Sequence, residues 1–187
     1  SGKGVPASLF MAITRSLFRT LSQHVLSPAK IVTEMNNSIS DNNESNMFVT
    51  LIVGILDLET GILKLCNAGH NPPILIYPDG QVSYLEFKTQ IFVGVVEDFK
   101  YSDEEVVLEK ESKLFLYTDG VTEAENINKE LYGEEKLLEM LSDNASSDVR
   151  TTVNVVVDSI ASHVKEAEAS DDLTILLIQY EPGTANS

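Results

Sequence analysis

The sequence predicts an α+β domain in which helices come first, strands follow, and two helices and a last strand close the chain. Three observations carry that expectation. Apolar residues recur at three-to-four spacing near the start and again after residue 134, and short apolar runs bounded by turn residues fill the middle. Strands and helices do not alternate as they would in a βαβ repeat. The expected arrangement is a mostly antiparallel sheet stack flanked by helices. At 187 residues, 43% of them apolar, the chain suits one globular domain with a sizeable core.

The elements follow in order. Gly4-Val5-Pro6 suits a helix start, and Leu9, Phe10, Ile13, Leu17, Phe18, Leu21 and Val25 give an amphipathic helix over 5–26. Ser27-Pro28 reads as the cap and first position of a second helix through Ile39. Polar residues 40–46 make a loop. The run 48–56 is so uniformly apolar that it predicts a central strand covered on both faces. Asp57 to Gly61 turns into a strand over 62–66, and Pro78-Asp79-Gly80 turns between strands at 74–77 and 82–85. Further strands are expected near 104–109 and at 114–117, helices over 134–141 and 149–164, and a closing strand over 173–178. Residues 182–187 read as a frayed tail, so the domain is expected at 1–181.

Charge and composition exclude several classes. Residues 97–187 carry 22 of the 29 acidic and 7 of the 13 basic residues, a net of −15, against −1 for residues 1–96. Such an acidic half repels a phosphate backbone, so nucleic acid is not an expected partner. Its carboxylates read either as a solvated face or as collectors of divalent metal. No apolar run is long enough to span a membrane, and Cys66 alone provides neither a disulfide nor a cysteine-rich zinc site. A reducing cytoplasm fits these features.

Three short segments combine polar residues with glycine or strand ends. Thr118-Asp119-Gly120 follows the apolar strand 114–117, either as an ordinary Asp-Gly turn or as a rigid mount for one carboxylate. Ser170-Asp171-Asp172-Leu173-Thr174 opens the last strand. Its adjacent acids repel each other unless a hard cation compensates or water solvates them. Asn67-Ala68-Gly69-His70-Asn71-Pro72-Pro73 describes a tight inter-strand loop. His70 there reads as a general acid, a phosphate donor, a metal ligand or a holder of loop backbone. Cys66 reads as core. Ser1-Gly2-Lys3-Gly4 lacks the glycine spacing of a phosphate-binding loop of the Walker type.

The order of these segments, together with Ser1-Gly2-Lys3-Gly4-Val5-Pro6-Ala7, Met47-Phe48-Val49-Thr50-Leu51 and the extension through Val121-Thr122-Glu123-Ala124, is more specific than any one of them. The set resembles the SpoIIE/RsbU-like branch of the metal-dependent serine/threonine protein phosphatases, over roughly residues 1–180. The resemblance implies an αββα sandwich with a two-metal Mn²⁺ or Mg²⁺ centre. There a metal-activated water, rather than a protein nucleophile, attacks phosphoserine or phosphothreonine. Asp119 and Asp171 match the family's metal ligands. Gly2, Gly120, Asp172 and His70 match positions that shape or support the site.

The same resemblance implies a phosphorylated anti-sigma-factor antagonist of the STAS type as substrate, in a partner-switching pathway, with a sensor domain upstream. The family's upstream metal-ligating aspartates have no counterpart here, which implies a chain truncated at its amino end. The consequences expected are a metal centre short of ligands, an open sheet edge that invites a homodimer, and an inactive fragment. The competing reading is a phosphatase-like scaffold that binds a partner without catalysis. Helices 5–26 and 28–39 read as plain packing against a sheet or as a regulatory element.

Overall fold

The computed structural model describes residues 5–41, 43, 46–167 and 172–182, and the chain divides into two compact units. The first comprises Ser1–His70 and Phe87–Val107, and the second Asn71–Glu86 and Leu108–Ser187.

In the first unit, helix α1 spans Val5–Leu21 and α2 spans Pro28–Ser40. α1 stops short of residue 26 because the His24 and Val25 amides both turn back onto the Leu21 carbonyl, ahead of the Ser27-Pro28 start. Ser27 caps α2 as expected, accepting from the Lys30 amide. Three strands, β1 (Leu51–Leu56), β2 (Ile62–Ala68) and β5 (Glu104–Val107), form an antiparallel sheet in the order β1-β2-β5. The expected hairpin turn closes through Gly61 N–H to Asp57 O at 2.9 Å.

Among the described residues, the strand expected to be central stands at an edge instead. β1 pairs only with β2 among the described residues, and Val53 is its one fully buried side chain. Residues 48–50 contribute an isolated bridge, Val49 to Val93, rather than strand. An unbroken apolar run does not by itself distinguish burial on two faces from an edge position, and here pairing decides. The central strand is β2, whose Leu63, Leu65, Cys66 and Ala68 are buried. Of these, Cys66 and Ala68 share a core with Ile31, Val32, Met35 and Ile39 of α2. α1 touches it along one stripe, Phe10, Leu17 and Leu21, and leaves Leu9, Met11 and Ile13 exposed.

The segment 87–103 is pinned by side-chain amides. Asn36, wholly buried, donates to Val96 O at 2.8 Å and accepts from the Gly94 amide at 2.9 Å. Asn43 donates to Met47 O and Gly94 O, and Gln90 both donates to and accepts from the Ser102 backbone. Asp103 accepts from the Ser27 hydroxyl and the Ala29 amide, adding a second cap to α2.

In the second unit β3 (Ile74–Ile76), β4 (Val82–Tyr84), β6 (Lys113–Tyr117) and β7 (Ile175–Gln179) pair antiparallel in the order β4-β3-β6-β7. The Pro78-Asp79-Gly80 turn forms as expected, with Gly80 N–H on Tyr77 O at 3.0 Å. Helices α3 (Asp119–Thr122), α4 (Glu134–Asp143) and α5 (Val149–Val164) complete it. Ile74, Ile76, Phe115 and Leu177 from the sheet meet Leu137, Leu141, Val156 and Ile160 from α4 and α5 in one buried cluster. Lys113 is also buried. Its ammonium donates to the Ala145 and Ser147 carbonyls, and burial holds its pKa below the usual lysine value. No helix among the described residues is long and apolar enough to cross a membrane.

Candidate functional site

The second unit gathers the acidic motifs at one end of the β6–β7 pair. β6 is buried along most of its length, so its end is fixed by the core around Phe115 and Tyr117. Thr118 joins the two motifs. Its amide donates to Thr174 O at 3.1 Å, and its hydroxyl accepts from the Thr174 amide at 3.2 Å and donates to Asp172 O at 3.4 Å. The segment expected as a turn is the first turn of α3, with Asp119 in it and exposed. The Gly120 amide donates to Asp119 Oδ1 at 3.0 Å, while the Glu123 amide and Thr122 hydroxyl donate to Asp119 O.

Gly120 is required here by space rather than by backbone dihedral. A Cβ at this position would lie 2.4 Å from Asp172 O, so only glycine lets α3 start against the Asp172 backbone. Asp119, Gly120 and Asp172, read from the sequence as site positions, are thus brought together. Asp171 and Gly2 lie outside the described residues.

His70 belongs to the first unit, in a loop built as the sequence suggested. Asn67 accepts from the His70 amide at 2.8 Å and donates to its carbonyl at 2.9 Å. Gly69 has φ +75°, and a Cβ there would sit 2.0 Å from the Phe92 ring. The backbone at His70 is therefore held from both sides, and the imidazole is half-buried. Cys66 is core, as read. Burial, with the Asp103 charge, pushes its thiol pKa up to about 12, which leaves it unreactive at neutral pH.

Sequence reasoning missed Thr118 as the joint of the site. The signal was present, since a threonine stands beside the acid in both Thr118-Asp119 and Asp172-Leu173-Thr174, but the pairing that brings them together is long-range.

Chemically, the end of the β6–β7 pair offers exposed carboxylates on a rigid backbone. Hard oxygen donors suit Mg²⁺ or Mn²⁺ rather than a soft metal. Among the described residues no three His, Cys, Asp or Glu side chains are grouped to hold a metal. Asp119 carries oxygen donors of the kind such an ion takes, Asp172 lies exposed beside the Thr118 joint, and Asp171 is not described.

The chain is 25% identical to the phosphoserine phosphatase RsbU of Bacillus subtilis (strain 168), over 95% of this chain and 52% of RsbU. Among solved structures, the SiaA-PP2C domain of Pseudomonas aeruginosa superposes with a TM-score of 0.84 at 22% identity, covering 97% of this chain and 73% of that one. RsbX, solved in complex with magnesium, gives 0.67 at 19% identity, covering 95% and 76%. These likenesses show a mixed helix and antiparallel-sheet fold of the PP2C type, as expected from the sequence. The chain spans between 32% and 52% of the length of three curated relatives it matches. The family model for stage II sporulation protein E (SpoIIE) matches residues 1–181, and the chain belongs to that family.

Proposed function

We propose that this chain is a divalent-metal-dependent serine/threonine protein phosphatase domain, extending over residues 1–181. The observation that carries the reading is the joining of Thr118-Asp119-Gly120 to Asp172-Leu173-Thr174, with glycine imposed where the two backbones meet. Asp119 and Asp171 would hold the metal, with Asp172 beside them. When bound, Mn²⁺ or Mg²⁺ supplies an activated water and neutralises charge on the phosphoryl oxygens. The chain's own part is to orient Asp119 through the Gly120 amide and to keep its carboxylate open to solvent. The magnesium complex of RsbX and the likeness to the phosphoserine phosphatase RsbU support this reading.

The proposed substrate is a phosphoserine form of a STAS-type anti-sigma-factor antagonist, met in the cytoplasm within a partner-switching pathway. The test is Mn²⁺-dependent phosphate release from such a protein by the natural gene product carrying this chain. Asp119→Ala is expected to lower turnover by at least ~10²-fold while leaving the circular dichroism spectrum unchanged, because Asp119 is exposed and no core packing depends on it. His70→Ala is expected to slow turnover without abolishing it. Full activity in Asp119→Ala, with metal present, overturns the site assignment. A folded, metal-loaded protein with no turnover points instead to a scaffold that binds without catalysis.

A further inference from the structure

We propose that His163 is a positioning residue for Asp119, acting through the hairpin 124–133 that it ties to α5. The inference rests on the phosphatase reading above and extends it from the carboxylate to what holds its backbone still. α3 is a single turn of four residues, too short to keep its own shape, so its neighbours on either side fix the bearing of Asp119.

The Thr118 joint holds the amino side of that turn, and the hairpin holds the other. Gly133 N–H donates to Thr122 O at 2.9 Å and Tyr132 N–H to Ala124 O at 2.8 Å. An antiparallel bridge then pairs Glu125 with Leu131. The Thr122 hydroxyl donates in turn to Asp119 O at 3.3 Å, so a shift of the hairpin reaches the Asp119 backbone through Thr122.

The hairpin is exposed from residue 127 to 131, and two short strands of this kind are marginal in water unless a helix supports them. α5 gives that support at two points one turn apart. Tyr132, 3% exposed, donates its hydroxyl to Ser159 Oγ at 3.0 Å, and His163 Nε2 lies 2.9 Å from Glu130 O. A carbonyl only accepts, so Nε2 carries the proton, and the same oxygen also takes the Asn126 amide at 3.0 Å. The imidazole stands edge-on to the Tyr132 ring, with centroids 5.6 Å apart at 81°. A histidine in the last turn of a helix commonly serves that helix's own free carbonyls. Here the ring is turned to another element, and its bond spans 33 residues.

The test compares His163→Phe and His163→Gln with the unaltered natural gene product carrying this chain. Phenylalanine keeps a ring against Tyr132 and loses the donor, whereas glutamine loses the ring and keeps an N–H donor. Amide exchange over residues 122–133 and calorimetric titration with MnCl₂ are the two readouts. In His163→Phe, exchange at Tyr132 and Gly133 is expected to rise about tenfold, the scale of one hydrogen bond. Mn²⁺ binding should weaken about threefold or more, less than the ~10-fold or more lost with a group bonded directly to a metal ligand. His163→Gln is expected to hold both readouts within about twofold of the unaltered protein. Unchanged Mn²⁺ binding in His163→Phe overturns the proposal, whether or not the hairpin loosens. So does an equal loss in both variants, which gives the role to ring packing, or exchange raised evenly through β6 and α4, which marks general destabilisation. If the unaltered protein binds no Mn²⁺, the metal-dependent reading itself falls, and the positioning role with it.

Discussion

The two units reach rigidity by different means. In the second, four paired strands and two helices close over one apolar cluster centred on Phe115, and the site is an extension of that packing. In the first, a three-stranded sheet and α2 form a smaller core, and the long segment 87–103 is fixed to it by amide side chains. Packing fixes strand ends well but leaves irregular backbone undetermined. Asparagine and glutamine, each with a donor and an acceptor, can fix irregular backbone residue by residue. The difference therefore separates a region whose disruption is global from one whose disruption is local.

The largest effect should come from the second unit. Phe115→Ala removes a fully buried ring and is expected to cost about 3–5 kcal/mol in urea unfolding. Amide exchange should show lost protection across residues 108–182, with 87–103 little changed, and an even loss through both units would break the comparison. Asn36→Ala is next, at about 1–3 kcal/mol, because the Gly94 amide and Val96 carbonyl lose their partner. Here exchange should rise chiefly over residues 92–98. A uniform rise would show that the amides support the whole unit.

The smallest effect is electrostatic. Asp148 caps α5, and donation from the Thr151 hydroxyl and amide holds its carboxyl below the usual value. The folded state thus binds the proton less tightly than the unfolded state. The stabilisation is present at neutral pH and lost as pH falls through the folded value. The melting temperatures of the natural chain and Asp148→Ala should accordingly converge in acid, and a constant gap would assign the cap's contribution to packing.

Much of the architecture was legible because periodicity and turn chemistry are local. Ser27-Pro28 announced α2, and the turns at Asp57–Gly61 and Pro78–Gly80 announced two hairpins. What failed was what pairing decides. An apolar run at 48–56 looked central, yet among the described residues its strand β1 pairs on one side only, and the Asp119 turn became the start of a short helix. Asp171 and Asp172 drew notice by their unfavourable adjacency and Asp119 by its place after a buried strand, whereas the Thr118 joint left no local signal of its pairing, since its partners lie 54 and 56 residues away. The amide bonds from Asn36, 58 and 60 residues long in sequence, leave no periodic trace at all.

Cys66 gives the chain a built-in clock. It is the sole thiol, wholly covered on the central strand of the first unit, with a pKa near 12 set by that covering. A thiol reagent can modify it only when β2 and α2 part, so the labelling rate under native conditions counts those openings one unit at a time. The second unit, which has no cysteine, is silent in that signal, and a single-site reading of local opening needs no introduced probe.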